Sequence, residues 1–143
     1  MRKSNIQQLT LAAMLAAVYA VLTMALPIPQ YGGVQIRFAE ALTVLPFLFP
    51  AAAPGLALGC LLTNILSPYG PIDMIVGTLA TAIAAFLSIK MPRWYLAALP
   101  PIVVNALLLP PMWAWAEAGA INGAFWAAYG LNLWTFVAGE AVA

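Results

Sequence analysis

Arg37 and Glu40 stand three residues apart in the apolar run Gln35-Ile-Arg37-Phe-Ala-Glu40-Ala-Leu-Thr43-Val-Leu-Pro46. On a helix that spacing puts both on one face, where each partly neutralises the other. A charged side chain at the centre of a membrane helix costs roughly 2.5–3.5 kcal/mol on translocon scales. A pair kept where Leu would cost nothing points to a site. Four more polar residues interrupt apolar sequence: Asn64, Asp73 just after Ser67-Pro-Tyr69-Gly-Pro71, Asn105 between Pro100-Pro101 and Pro110-Pro111, and Glu140. A carboxylate accepts from adjacent N–H groups or from a cation, and an Asn amide both donates and accepts, so it can read one polar edge of a ring. Tyr31, Phe38, Tyr69, Trp113 and Trp126 could stack on a flat heterocycle, worth about 1–3 kcal/mol per ring by analogy with nucleic-acid bases. Buried polar groups then reject analogues that lack the matching partner. Each residue also has a plainer use. Asp73 could cap a helix N-terminus, Arg37 and Glu40 could be a structural ion pair, Asn105 could bond a neighbouring helix, and Glu140 could be solvated at the cytoplasmic interface. Glu117 reads as a loop charge.

The rest of the chain sets the medium in which these groups act. Of 143 residues 65% are hydrophobic and 6% charged, with mean hydropathy +0.99, far from the quarter charged residues of a soluble globule. The length fits one domain, residues 1–143, embedded in a lipid bilayer. A net charge of +1 gives no bias toward nucleic acid. There is no His, which removes histidine metal sites and bases. Cys60 is the only cysteine and reads as a small buried hydrophobe. Without Cys–His, Ser–His–Asp or an aspartyl dyad the usual catalytic sets are missing, so the chain is not expected to be an enzyme.

Six apolar segments are candidate transmembrane helices: Asn5–Leu26, Ile36–Phe49, Ala51–Leu66, Pro71–Ile89, Trp94–Leu109 and Ile121–Ala143. The first is too long for the core of a signal peptide and reads as a retained span. Pro and Gly punctuate the intervals. The stretch from Ile36 to Leu66 is too short for two straight spans, and Pro46, Pro50 and Pro54 interrupt it, which in transporters points to a binding site. Arg2, Lys3, Lys90 and Arg93 fall on one side when the N-terminus is inside, so both termini are expected in the cytoplasm. Arg37, Glu40, Asn64 and Asp73 then share the outer half at similar depth. Trp113, Trp115 and Trp126 are expected near one interface. Ala12, Ala16 and Ala20 make a flat face on the first helix, suited to packing within the fold or to receiving a partner. Ala51, Gly55, Gly59 and Thr63 form a second small-residue stripe, and Gly77, Thr81 and Ala85 a third.

The Gln35–Pro46 run resembles that of the queuosine-precursor transporters, substrate-binding (S) components of energy-coupling factor (ECF) transporters. The resemblance continues in Pro54-Gly55, Gly59-Cys-Leu-Leu-Thr-Asn64, Ser67-Pro-Tyr-Gly-Pro-Ile-Asp73, Gly77-Thr-Leu-Ala-Thr81, Asn105-Ala106 and Gly139-Glu140. It implies an all-α, six-transmembrane-helix S component in the cell membrane that captures a 7-deazaguanine such as preQ0 or preQ1 from outside. It implies a transmembrane coupling subunit and two cytoplasmic ATPases as partners, with Ala12, Ala16 and Ala20 facing the coupling subunit. ATP is used by those partners; this chain has no phosphate-binding loop and needs no cofactor of its own. On this reading Arg37, Glu40, Asn64, Tyr69, Asp73, Asn105 and Glu140 form the substrate site. Two of the three acids hold the guanine-like edge and the cationic tail, the two asparagines read the ring, and Arg37 orients Glu40. Family members usually continue past the Gly-Glu pair, so a chain shortened at its C-terminus is expected. The rival readings are an S component for another vitamin or a small amine, and a membrane scaffold or channel subunit with no small-molecule site.

Overall fold

The computed structural model describes residues 5–25 and 38–142, and of residues 140 and 142 the backbone alone. Among these there are five α-helices: α1 (Asn5–Ala25), α2 (Ala52–Asn64), α3 (Pro71–Ile89), α4 (Leu99–Ala118) and α5 (Gly123–Val142). Two 3₁₀ segments complete them, η1 (Phe38–Phe47) before α2 and η2 (Trp94–Ala98) running straight into α4. Each of the six expected segments has a helical counterpart, and the described residues form helices and no strand. Three are long and apolar enough to cross a membrane by length and composition: α1, α3 and the joined Trp94–Ala118; η1 and α2 are apolar but shorter.

Local chemistry accounts for the ends. Gly70 takes a left-handed φ of 63°, and Pro71 follows as the first residue of α3, where its missing N–H costs nothing. Gly119 closes α4 with φ 70°, its N–H donating to the Trp115 carbonyl, a glycine stop. The α3–η2 corner is fixed by Ser88, whose hydroxyl donates to the Ala97 carbonyl at 2.9 Å.

The bundle is turned inside out relative to a soluble protein. The buried positions of α3 are Asp73, Gly77, Ala80, Thr81, Ala84, Ala85 and Ser88, while Ile72, Ile75, Leu79, Ile83 and Phe86 are exposed. Large apolar side chains outside and small or polar ones inside are what lipid as solvent favours, because helices there gain from close backbone approach and not from expelling water. The closest approach joins α1 to α2. A Cβ added at Gly55 would stand 2.8 Å from Ala12 Cα, and one at Gly59 would stand 2.8 Å from Tyr19 Cβ and 2.9 Å from the Ala16 carbonyl oxygen.

η1 lies at the centre and touches α1, α2, α3, α4, α5 and η2. It differs from the expected α-helical second span. Pro46 sits inside it and lacks an N–H, and the Thr43 hydroxyl donates to the Glu40 carbonyl at 2.5 Å, so side chains help set its backbone. A 3₁₀ run of this length is uncommon and associated with strain or hinges.

Two expectations fail on α4. The sequence predicts a fifth span ending at Leu109, with Pro110 to Ala120 as a loop. Instead the helix continues through Pro110 and Pro111 to Ala118. Proline there leaves the carbonyls of Ala106 and Leu107 without their helical donors, a loss tolerated in membrane helices where neighbours and local adjustment compensate. Pro110 is buried, so the packing that holds it also holds the helix. As a result Trp113 is fully buried instead of sitting at an interface, whereas Trp115 and Trp126 are exposed.

Candidate functional site

Glu40 is 2% exposed in the middle of the bundle. Its Oε1 accepts from the Tyr19 hydroxyl at 2.5 Å and lies 3.4 Å from the Thr81 hydroxyl. Its Oε2 faces the Asn105 amide nitrogen at 3.4 Å. Three elements thus aim neutral donors at one carboxylate, and Oε2 keeps acceptor capacity to spare. The same residue lines a cleft of about 200 Å³ with Ala41, Thr43, Val44, Ala98, Pro101 and Ile102.

A second polar group lies along α3. The Asn64 amide nitrogen donates to the Asp73 backbone carbonyl at 3.1 Å, and Asp73 is wholly buried. Gly77 makes room for this amide, since a Cβ there would stand 2.5 Å from Asn64 Nδ2. Asp73 is two turns from Thr81, about 12 Å of helical rise, so the two groups occupy different depths. Cys60 joins them: its sulfur lies 3.3 Å from Asn64 Nδ2 and 3.2 Å from Thr81 Oγ1. The single-depth convergence expected from the sequence is thus replaced by two layers. Glu40 meets Asn105 in one layer, and Asn64 meets Asp73 in the other.

Both asparagines are anchored by nitrogen and leave their oxygens open. Asn64 Oδ1 and Asn105 Oδ1 are buried with no hydrogen-bond partner among the described residues. A buried orphan acceptor costs about 1–3 kcal/mol, so two of them, held in place through their own amide nitrogens, are poised to receive N–H donors.

Tyr69 stands near Trp113 and Asp73. Its ring centroid is 6.1 Å from that of Trp113, and its hydroxyl donates to Glu117 at 3.2 Å. Burial, then the Glu117 carboxylate, then Asp73 raise its pKa above the usual 10.0. Glu117, expected as a loop charge, belongs to the last turns of α4.

Arg37 and Tyr31 lie outside the described residues, and Glu140 is described by its backbone in α5 only. The small-residue face of α1 is divided. Ala16 is buried against Gly59 and Ala20 is half-buried. Ala12 borders a groove of about 420 Å³ with Ala13, Gly55 and Leu58 among its walls.

Sequence reasoning passed over Tyr19, Asn132 and the side-chain role of Thr81. Tyr19 follows Ala16 by three residues, and a phenol interrupting an alanine face was the available signal. Thr81 was visible only as a small residue in a stripe. Asn132, 2% exposed in α5, is an amide inside an apolar span and carried the same warning as Asn105.

A family model described as the QueT transporter matches residues 9–143. A protein named queuosine precursor transporter QueT, from Lactococcus lactis subsp. cremoris (strain MG1363), is 35% identical over 91 residues, which are 62% of this chain and 52% of that protein. The chain spans about half the length of this curated relative. No solved structure matches.

Proposed function

The chain belongs to the QueT transporter family, a family of membrane transporters and not of enzymes, and on that premise we propose that it is the substrate-capturing component for a queuosine precursor, a 7-deazaguanine such as preQ0 or preQ1. The observation that carries this reading is Glu40: a buried carboxylate held by Tyr19, Thr81 and Asn105 beside a cleft. No uncharged scaffold needs such a group, and its desolvation is costly.

The ligand presents ring N–H and exocyclic amine donors along one edge, and preQ1 adds an aminomethyl cation. Acceptors are the matching chemistry. Glu40 and Asp73, with Glu140 as the third candidate acid, take the donor edge and the cation. The open oxygens of Asn64 and Asn105 read the ring, Tyr69 covers it, and Arg37 orients Glu40. Charge-assisted bonds of this kind are about twice as strong as neutral ones.

Uptake is driven by ATP in partner subunits: a transmembrane coupling protein and two cytoplasmic ATPases. The groove beside Ala12 supports docking of the coupling protein at the α1–α2 end, with Ala16 and Ala20 shaping the seam behind it. The chain resides in the plasma membrane as a multi-pass protein with both termini cytoplasmic, consistent with its Lys and Arg distribution.

The test is equilibrium binding of labelled preQ1 to the purified chain in nanodiscs. Glu40→Gln is expected to weaken binding roughly ten- to hundredfold, the loss of one charge-assisted partner. Unchanged affinity in Glu40→Gln, Asp73→Asn and Glu140→Gln alike would remove the assignment.

A further inference from the structure

Three buried groups able to donate remain outside the proposed site: the Thr78 hydroxyl, which can also accept, and two nitrogens that only donate. Trp113 Nε1 and Asn132 Nδ2 have no hydrogen-bond partner among the described residues, although Trp113 is 0% and Asn132 2% exposed. Both belong to the α4–α5 seam. The Trp113 ring lies 5.8 Å from that of Phe136, one turn along α5 from Asn132, and α5 packs on α4, with η1 its other neighbour. The side chains packed around Trp113 are mainly apolar: Ala106, Leu109, Met112 and Phe136 form the core there, with Tyr69, Val76, Leu133 and Val137 against it. A solitary orphan would be a local defect. Two donors of the same sense on facing helices ask for an acceptor from outside the chain.

We propose that Trp113 and Asn132 are specificity-determining residues that together donate to a ring carbonyl oxygen of the ligand. This deepens the reading above and rests on it. The donor pair complements the orphan acceptors Asn64 Oδ1 and Asn105 Oδ1, so the buried groups of both senses match a ring that carries donors beside a carbonyl. It also orients the ligand. Val76 packs against the Trp113 cluster and follows Asp73 by three residues on the same face of α3, so the carbonyl edge lies on the Asp73 side. The aminomethyl tail is left for Glu40, in the other layer.

The experiment compares preQ1 with its analogue lacking the ring carbonyl oxygen, by equilibrium binding to the purified chain in nanodiscs. The wild-type chain is expected to prefer the carbonyl compound about a hundredfold or more, because a site built around a polar group rejects ligands that lack its partner. Trp113→Phe keeps the ring packing and Asn132→Leu keeps approximate volume. Each is expected to reduce the preference roughly tenfold while leaving affinity for the carbonyl-free analogue unchanged. The ligand-free variants are expected to melt no lower than wild type, since each loses an unsatisfied donor; a purely structural role predicts lower melting instead. If the wild type binds neither compound, the transport reading falls and the donor pair with it. If it binds and the preference is unmoved in both variants, the donor pair alone is overturned. Should Asn132→Leu fail to fold, the preference measured in Trp113→Phe decides alone.

Discussion

The α1–α2 seam and the α4–α5 seam solve opposite problems. In the first, glycines at 55 and 59 let one backbone rest on another, with Ala12, Ala16 and Tyr19 filling the remaining space. In the second, an indole N–H and an amide N–H are buried without partners among the described residues. A seam optimised for stability would not retain them. Close packing of small residues and unsatisfied polarity thus lie in different seams of one bundle.

The largest effect is expected at the α1–α2 seam. Gly55→Val would place branched carbon against the Ala12 backbone, which cannot swing aside as a side chain would. Loss of the folded chain is the expected outcome, read as aggregation during detergent size-exclusion chromatography, because overpacking costs about 1–3 kcal/mol even where neighbours can relax. A monodisperse variant with wild-type melting would show that the seam is looser than the glycine contacts imply.

Gly77→Ala probes the α2–α3 contact more gently. Its methyl group would collide with the Asn64 amide, at 2.5 Å, and with no backbone. The amide is expected to rotate away from Cys60 and Asp73, lowering stability by about 1 kcal/mol, the worth of a typical hydrogen bond, and weakening preQ1 binding more than melting. Equal effects on both would assign Asn64 to structure alone.

The smallest effect concerns Tyr69 and Glu117. The phenol pKa is raised above 10.0, so the neutral form is favoured by folding. That contribution is fully present below the unfolded pKa and is lost as pH rises through the folded one. Melting of the wild type is therefore expected to fall more steeply than that of Tyr69→Phe above pH 10.0, and the two are expected to differ little at neutral pH, because an exposed pair contributes little.

These contrasts also mark what could be read from residues alone. Segment positions were legible because apolar runs and Pro–Gly punctuation are local: α3 begins and ends at Pro71 and Ile89 as expected. The polar residues Glu40, Asn64, Asp73 and Asn105 announced themselves by their cost in an apolar chain. Their pairing was not legible, since Glu40 meets Tyr19 and Thr81 across long separations that no local pattern encodes. The passage of α4 through Pro110 and Pro111 was hidden for a related reason. A proline's power to stop a helix depends on whether its neighbours hold the next turn, and Trp113 does so from beyond the break.

The 3₁₀ form of η1 has a geometric consequence for the carboxylate it carries. At about 2.0 Å of rise per residue, this segment advances about a third further along its axis than α-helical winding at about 1.5 Å would allow. The altitude of Glu40 is therefore governed by how tightly the backbone is coiled as well as by chain length. A change in winding would raise or lower the charge without moving the five surrounding rods.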